Sequence, residues 1–373
     1  GVSSAASDVY KRQVPEYVWE LERYKVNEGP AVLQKDGKVY LAFSASGTGS
    51  EYCVGLLTGN ADDDLTKKEN WVKTPYPIMT SGDFNDELCG PGHNSFTVDE
   101  YGNAVIVYHA RPADTHAGHT GDPLYDPCRH AYVKPVLFGA DGAPVLNLSD
   151  EEFVKGGSEI TVKVKVKGES EESKPSLEYN FDEDYTGIVK DSAGNQDGTV
   201  TEGASYVWDK EYGQVLYLDG DKTDGGHDSY LEFPEGYFDG KDKVTISMDV
   251  NEVTRSGNYF TFGVGQNNQK YLFLKTAPTS TKLAVTTSGY QNEKLANRNS
   301  VYPNNSRTWI NIKMVVTPKS ISLYQDGKLI AENLNTNISL DDLGRNLKAY
   351  IGKSFYSEDK YFRGYFDNIK VYD

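Results

Sequence analysis

KVTISMDVNEVTRSGNYFTFGVGQNNQKYLFLK, residues 243–275, reads as three short strands in succession, KVTISMDV, NYFTFGVG and KYLFLK, parted by Gly and Asn turns. β-Branched and aromatic residues fill the strands and turn formers fill the gaps, the composition of a pleated, half-buried sheet. The pattern continues in both directions. LEYNF, VLYLDG and SYLEFP precede it; KLAVTT, WINIKMVVT, SISLYQDGKLI, LKAYIGKS and YFRGYFDNIKVYD follow, making eleven strands in residues 176–373. Their number and spacing predict a β-sandwich.

Upstream, residues 168–175, GESEESKP, form a charged linker, and residues 158–167, SEITVKVKVK, alternate strictly like a last strand or stiff connector. Residues 14–157 are read as a second domain, since single cores stop growing near about 250–300 residues and this chain has 373. Strands at 29–34, 39–44 and 52–58, with a tight turn at Lys35-Asp36-Gly37-Lys38, are echoed at 94–98, 104–110 and 130–138, with a turn at 99–103. Two copies about 65 residues apart resemble adjacent propeller blades, and a closed ring needs at least about four. The expected fold is therefore all-β, a partial propeller followed by a sandwich. Residues 1–13, GVSSAASDVYKRQ, lack both periodicity and the layout of a signal peptide and read as a junction segment, with the natural protein extending further upstream.

Composition narrows the partners. A formal charge of −17 without a basic patch repels a phosphate backbone or an anionic leaflet, so neither nucleic acid nor membrane is expected. An acidic chain with 27 Tyr, 14 Phe and 4 Trp suits a neutral polyhydroxylated ligand. Cys53, Cys89 and Cys128 are too few and scattered for a disulfide framework or a zinc site and read as free thiols.

Two positions can carry chemistry. Glu28, in Val26-Asn27-Glu28-Gly29-Pro30, stands at the start of an apolar strand, where a partly desolvated carboxyl could protonate a leaving oxygen; the same position also suits an ordinary solvated glutamate. His93, in Gly90-Pro91-Gly92-His93, is delivered by a close-approach loop and can ligate a metal, orient a water or simply bond backbone. Downstream lie His109, Arg111, His116, His119, Asp122, Asp126, Arg129 and His130.

VNEGPAVLQKDGKVYLAFSAS, CVGLLTGNADDDL, CGPGHNSFTVDEYGNAVIVYHAR and GDPLYDPCRHAYVKPVLF together resemble the final two blades of family 43 glycoside hydrolases, five-bladed propellers of the α-L-arabinofuranosidase and β-xylosidase type. The resemblance covers residues 14–146. It implies that Glu28 is the general acid, that His93 faces a central cation or water, often calcium, and that Arg129 borders the substrate pocket, with no organic cofactor. It also implies inversion, with a carboxylate base about 6.5–9.5 Å from the acid. That base and an acid-tuning aspartate belong to earlier blades, and Asp8, in the junction segment, is the only aspartate ahead of Glu28. This chain alone is therefore expected to turn over little or no substrate. Cys128 and Tyr132 stand where the family pattern has an amide and an arginine, altering the local contacts.

The sandwich resembles a laminin-G-like, concanavalin A-like jelly roll through VLYLDG, SYLEFP, TISMDV, FTFGVG, SLYQDGKLIAE and FRGYFDNIKVYD. Such modules bind sugars, bind calcium or brace a catalytic domain. Asp182 and Asp367 become neighbours if the terminal strands pair, and suit either calcium or the capping of turns. Tyr259, Tyr271, Tyr290 and Trp309 are candidates for a sugar platform or for packing. Asn147, Asn304 and Asn337 begin Asn-X-Ser triplets, to which no function is attached. The expected parent is a secreted enzyme, extracellular or periplasmic, that cleaves arabinose- or xylose-containing plant polysaccharide of the arabinan or arabinoxylan type. The alternative is a non-catalytic carbohydrate-binding or adhesion protein whose working module is the sandwich.

Overall fold

The computed structural model describes residues 14–84, 87–112, 123–148, 174–183, 186–253, 257–277, 281–298 and 308–373. The junction segment, the connector at 158–167, most of the linker, and His116, His119, Asp122 and Asn304 lie outside them. The chain forms two compact units, Gly1–Thr161 and Val162–Asp373.

In the first unit, β1 (Asn27–Lys35), β2 (Lys38–Ala45), β3 (Cys53–Asn60) and β4 (Val72–Lys73) form an antiparallel sheet in sequence order. The β1–β2 turn is tight because Asp36 and Gly37 take φ of 49° and 76° between paired Lys35 and Lys38, the combination that matches strand twist. A second meander joins β5 (Leu88–Val98), β6 (Ala104–Pro112) and β7 (His130–Pro135). The two sheets are successive blades. Tyr40, Ala42, Val54 and Leu56 of the first pack with Ile106 and Tyr108 of the second, and Trp19, Phe43, Ala45, Cys53 and Leu57 form a separate cluster on the other face of β2 and β3. Strands buried on both faces read as nearly continuous apolar runs, as β2 and β3 do.

A buried ion pair fixes where β1 begins. Glu20, fully buried, accepts from Lys73 Nζ at 2.9 Å, from the Glu16 and Tyr17 amides at 2.8 and 2.9 Å, and from Asn27 Nδ2 at 2.9 Å. Asn27 immediately precedes Glu28.

The second unit consists of two antiparallel eight-stranded sheets over one apolar core that includes Met248, Phe262, Leu272, Met314 and Phe366. Sixteen strands among the described residues thus stand where eleven were expected. SISLYQDGKLI divides at Asp326-Gly327 into Ile321–Gln325 and Lys328–Asn333, and Ile188–Val189 and Gly198–Val200 are too short to show periodicity. The terminal strands pair, Leu177 opposite Val371.

Candidate active site

Register brings the candidate residues to one place. Glu28 on β1 lies opposite Ser44 on β2. Ser44 Oγ accepts the His93 backbone N–H at 2.6 Å, fastening β5 of the next blade to the first. Glycines permit this approach. A Cβ on Gly92 would lie 2.3 Å from the Tyr52 ring, and one on Gly90 2.6 Å from the Gly49 carbonyl oxygen. His93 and Gly29 both have positive φ, 46° and 55°, and a Cβ on Gly29 would meet His93 Nδ1 at 3.2 Å. The GPGH loop is thus a backbone contact between blades that turns the imidazole towards the acid.

Tyr52, just ahead of β3, donates its hydroxyl to Glu28 Oε1 at 2.5 Å. This bond holds the carboxyl in one orientation. Burial, followed by that bond, pushes the Tyr52 hydroxyl far above its ordinary pKa, so it remains a donor. His93 Nδ1 is 3.8 Å from the same carboxyl oxygen, beyond hydrogen-bond range.

Behind them stands His109 on β6. Its ring stacks on Tyr52 with centroids 5.4 Å apart and planes within 7°, and lies 6.4 Å from the His93 ring. Arg129 Nη2 contacts His109 Nε2 at 2.6 Å, and Arg129 Nη1 donates to the Leu124 carbonyl at 2.9 Å. A guanidinium cannot accept, so His109 Nε2 is the acceptor and its neutral ring carries the proton on Nδ1. Nδ1 is buried without a partner among the described residues, as are both side-chain polar atoms of Asn94. Burial first, then the Arg129 charge, lowers the His109 pKa to about 4.

The structure therefore brings together Glu28, His93 and, through His109, Arg129. Arg111 pairs instead with Asp126 at 3.2 Å, and Asp126 also accepts the Cys128 amide at 2.8 Å, so that pair braces the loop ahead of β7. Tyr132 packs on Tyr108, centroids 5.9 Å apart. None of the three cysteines is in a disulfide. Tyr52 and Ser44 were not singled out from the sequence; the one available signal was their place at the ends of the apolar runs that flank Gly47 and Gly49.

Among the described residues no group of three or more His, Cys, Asp or Glu is placed to hold a metal ion. Asp182 is exposed while Asp367 is buried; two carboxylates fall short of the six to eight oxygens calcium takes. The four candidate aromatics are placed differently. Tyr259 is in the core, bonded to Glu252 and the Thr276 carbonyl; Tyr271 is fully buried against Phe260 and Phe273; Tyr290 is exposed.

The geometry thus gathers a carboxyl at a strand start, a tyrosine bonded to it, two imidazoles and an arginine. Residues 3–144 match the model of Glycosyl hydrolases family 43, and residues 224–373 match that of the Concanavalin A-like lectin/glucanases superfamily. These matches span most of the first unit and most of the second, respectively. Over 131 residues the chain is 44% identical to an extracellular exo-α-(1→5)-L-arabinofuranosidase of Streptomyces avermitilis and 45% to α-L-arabinofuranosidase 43 of Humicola insolens, covering 35% of this chain and 26% of each relative. A crystal structure of α-L-arabinofuranosidase from Lactobacillus brevis matches 36% of this chain and 40% of its own, with 44% identity and a TM-score of 0.33. The chain thus spans about a quarter of the length of the curated relatives it matches.

Proposed function

We propose that this chain supplies the acid side of an inverting glycoside hydrolase that acts outside the cell on arabinose-containing plant polysaccharide, with Glu28 as the proton donor. The carrying observation is the Glu28 carboxyl, held at 2.5 Å by Tyr52 within the family 43 segment. The resemblance to arabinofuranosidases, two of which are named extracellular, favours arabinofuranosides over xylosides. In this reading Glu28 protonates the departing glycosidic oxygen while water attacks from the opposite face. Tyr52 aims the acid, His93 lines the sugar side, and Arg129 holds His109 neutral behind it. Deprotonating the water requires a second carboxylate, which this reading assigns to a segment ahead of residue 14.

The test is release of p-nitrophenol from the α-L-arabinofuranoside and β-xyloside, with and without Glu28→Gln, by this chain and by the product of its complete reading frame. This chain is expected to release none above the Gln variant. In the longer product Glu28→Gln should lower kcat about 10²–10⁴-fold, the usual contribution of a positioned acid. Glu28-dependent turnover by this chain alone would place the base within it, and an in-frame stop just before Val14 or turnover indifferent to Glu28 would overturn the proposal.

A further inference from the structure

Tyr125 is 73% exposed, and Leu124 beside it 46%, on the turn that leads into β7. Single exposed aromatics are ordinary on a protein surface. What sets this one apart is its support. The Asp126 amide donates to the Pro123 carbonyl at 3.4 Å and the Arg129 amide to the Asp126 carbonyl at 3.2 Å, closing two successive turns around Tyr125. The Asp126 side chain is fully buried between Arg111 Nη1 at 3.2 Å and the Cys128 amide at 2.8 Å. Burying a carboxylate carries a desolvation cost, and what this pair secures is a fixed backbone, since Arg111 belongs to β6 and fastens the turn to the blade.

The same turn is tied to the acid. Arg129 Nη1 donates to the Leu124 carbonyl at 2.9 Å while Nη2 donates to His109 Nε2 at 2.6 Å. His109 stacks on Tyr52, and Tyr52 bonds Glu28. Direct contacts therefore run unbroken from Glu28 to the residue next to Tyr125. An acid that protonates the departing oxygen stands on the leaving-group side of the scissile bond, and the groups stationed beside it border that side. A phenol offers an apolar face to the C–H side of a sugar ring and a hydroxyl to its oxygens. Carried on a fixed backbone with only two χ angles, it loses little freedom on binding.

We propose that Tyr125 is a specificity-determining residue that stacks on the first sugar of the leaving group, so that the site favours arabino-oligosaccharides over arabinosides that lack a second ring. The proposal rests on the reading of Glu28 as the acid. It is tested in the product of the complete reading frame by the kinetics of arabinose release from arabinotriose and from methyl α-L-arabinofuranoside. Tyr125→Ala should raise KM for arabinotriose about five- to tenfold, with kcat held within about twofold, as for loss of binding alone, and should leave the methyl arabinoside unaffected; Tyr125→Trp should keep the low KM. An unchanged KM for arabinotriose while Glu28→Gln still abolishes turnover, or equal losses on both substrates, would overturn it. So would a lowered melting temperature with KM unchanged, which would mean that Tyr125 packs against the rest of the longer protein. Turnover indifferent to Glu28 would remove the acid reading itself, and this proposal with it.

Discussion

The two units bury different things. The sandwich buries one large apolar core with a smaller aromatic cluster, and its buried polar groups, such as Glu252 with Tyr259 and Thr276 and Thr276 with Thr261, bond to one another inside it. The first unit divides its apolar residues between two clusters and puts Glu20, Asn27, Ser44 and Asn94 into the space around them. Buried polar groups demand specific partners, and those partners determine where neighbouring side chains point. In the first unit that demand leads from Lys73 through Glu20 and Asn27 to Glu28, and from Ser44 to His93. In the first unit the buried hydrogen bonds lead to the candidate acid, whereas in the sandwich they close on one another, so the responses of the two units to substitution should separate.

Glu20→Ala should break that contrast most strongly. It leaves Lys73, itself only 8% exposed, with just the half-exposed Glu16 carboxylate at 3.4 Å, and uncoupling one partner of a buried pair costs up to about 3–5 kcal/mol. Thermal unfolding followed at Trp19 and Trp71 should move far down while the transition at Trp208 and Trp309 stays in place. A uniform shift would mean that the units do not unfold as separate bodies.

Next in size is Gly92→Ala. The added methyl would lie 2.3 Å from the Tyr52 ring and 2.9 Å from Ser44 Oγ, contacts that require movement. Overpacking of this kind costs about 1–3 kcal/mol. In any active form of the protein it should also lower kcat more than it raises KM, since displacing Tyr52 frees the Glu28 carboxyl. An unchanged kcat would remove Tyr52 as the group that orients the acid.

These residues show what sequence could and could not reveal. Asp36-Gly37 announced its hairpin because only a few residues accept two successive positive φ angles, and Gly90-Pro91-Gly92 announced a close approach for a related reason. Glu28 and His93 were readable as chemistry-bearing types in unusual local settings. Glu20, Ser44 and Tyr52 were not, because their importance comes from partners 53, 49 and 24 residues away. In the sandwich the alternation failed in an informative place. Phe366 and Ile369 are both in the core although three positions apart. The intervening Asn368 has φ of 48°, at a register shift opposite Ser247 and Asp249. This bulge puts Asp367 on the outer face and returns Ile369 inward. The apolar spacing of three held that signal, whereas reading FDNIKVYD as one regular strand concealed it.

Asp367 gives the third contrast. Burial first, and then the charges of Asp249, Asp182 and Asp209, raise its pKa to about 7. The folded state therefore holds a proton that the unfolded chain releases near pH 4. Between about pH 4 and pH 7 the unfolded state binds fewer protons, so this group's contribution to stability is complete below pH 4 and falls as pH rises through 7. The sandwich transition in Asp367→Asn should lack that decline. A parallel pH dependence in both proteins would show that Asp367 ionises freely in the fold.

His109 should give the smallest effect, of opposite sign, in the other unit. Its folded pKa of about 4 lies below the ordinary value of 6.5. The unfolded state then binds more protons between those values, so stability is complete above about pH 6.5 and is lost on acidification towards 4. The physical reason is the Arg129 guanidinium: it occupies Nε2 as a donor, and protonating the ring would set two donors and two positive charges against each other at 2.6 Å. Removing that opponent with Arg129→Met should raise the imidazole pKa towards its ordinary value, and a proton NMR titration would read the change directly. His227 supplies an internal control, since its bond to Asp219 raises its pKa instead. Should His109 titrate near 6.5 with Arg129 in place, the neutral ring behind Tyr52 would be lost, and with it the argument that the pocket wall stays uncharged while Glu28 exchanges its proton.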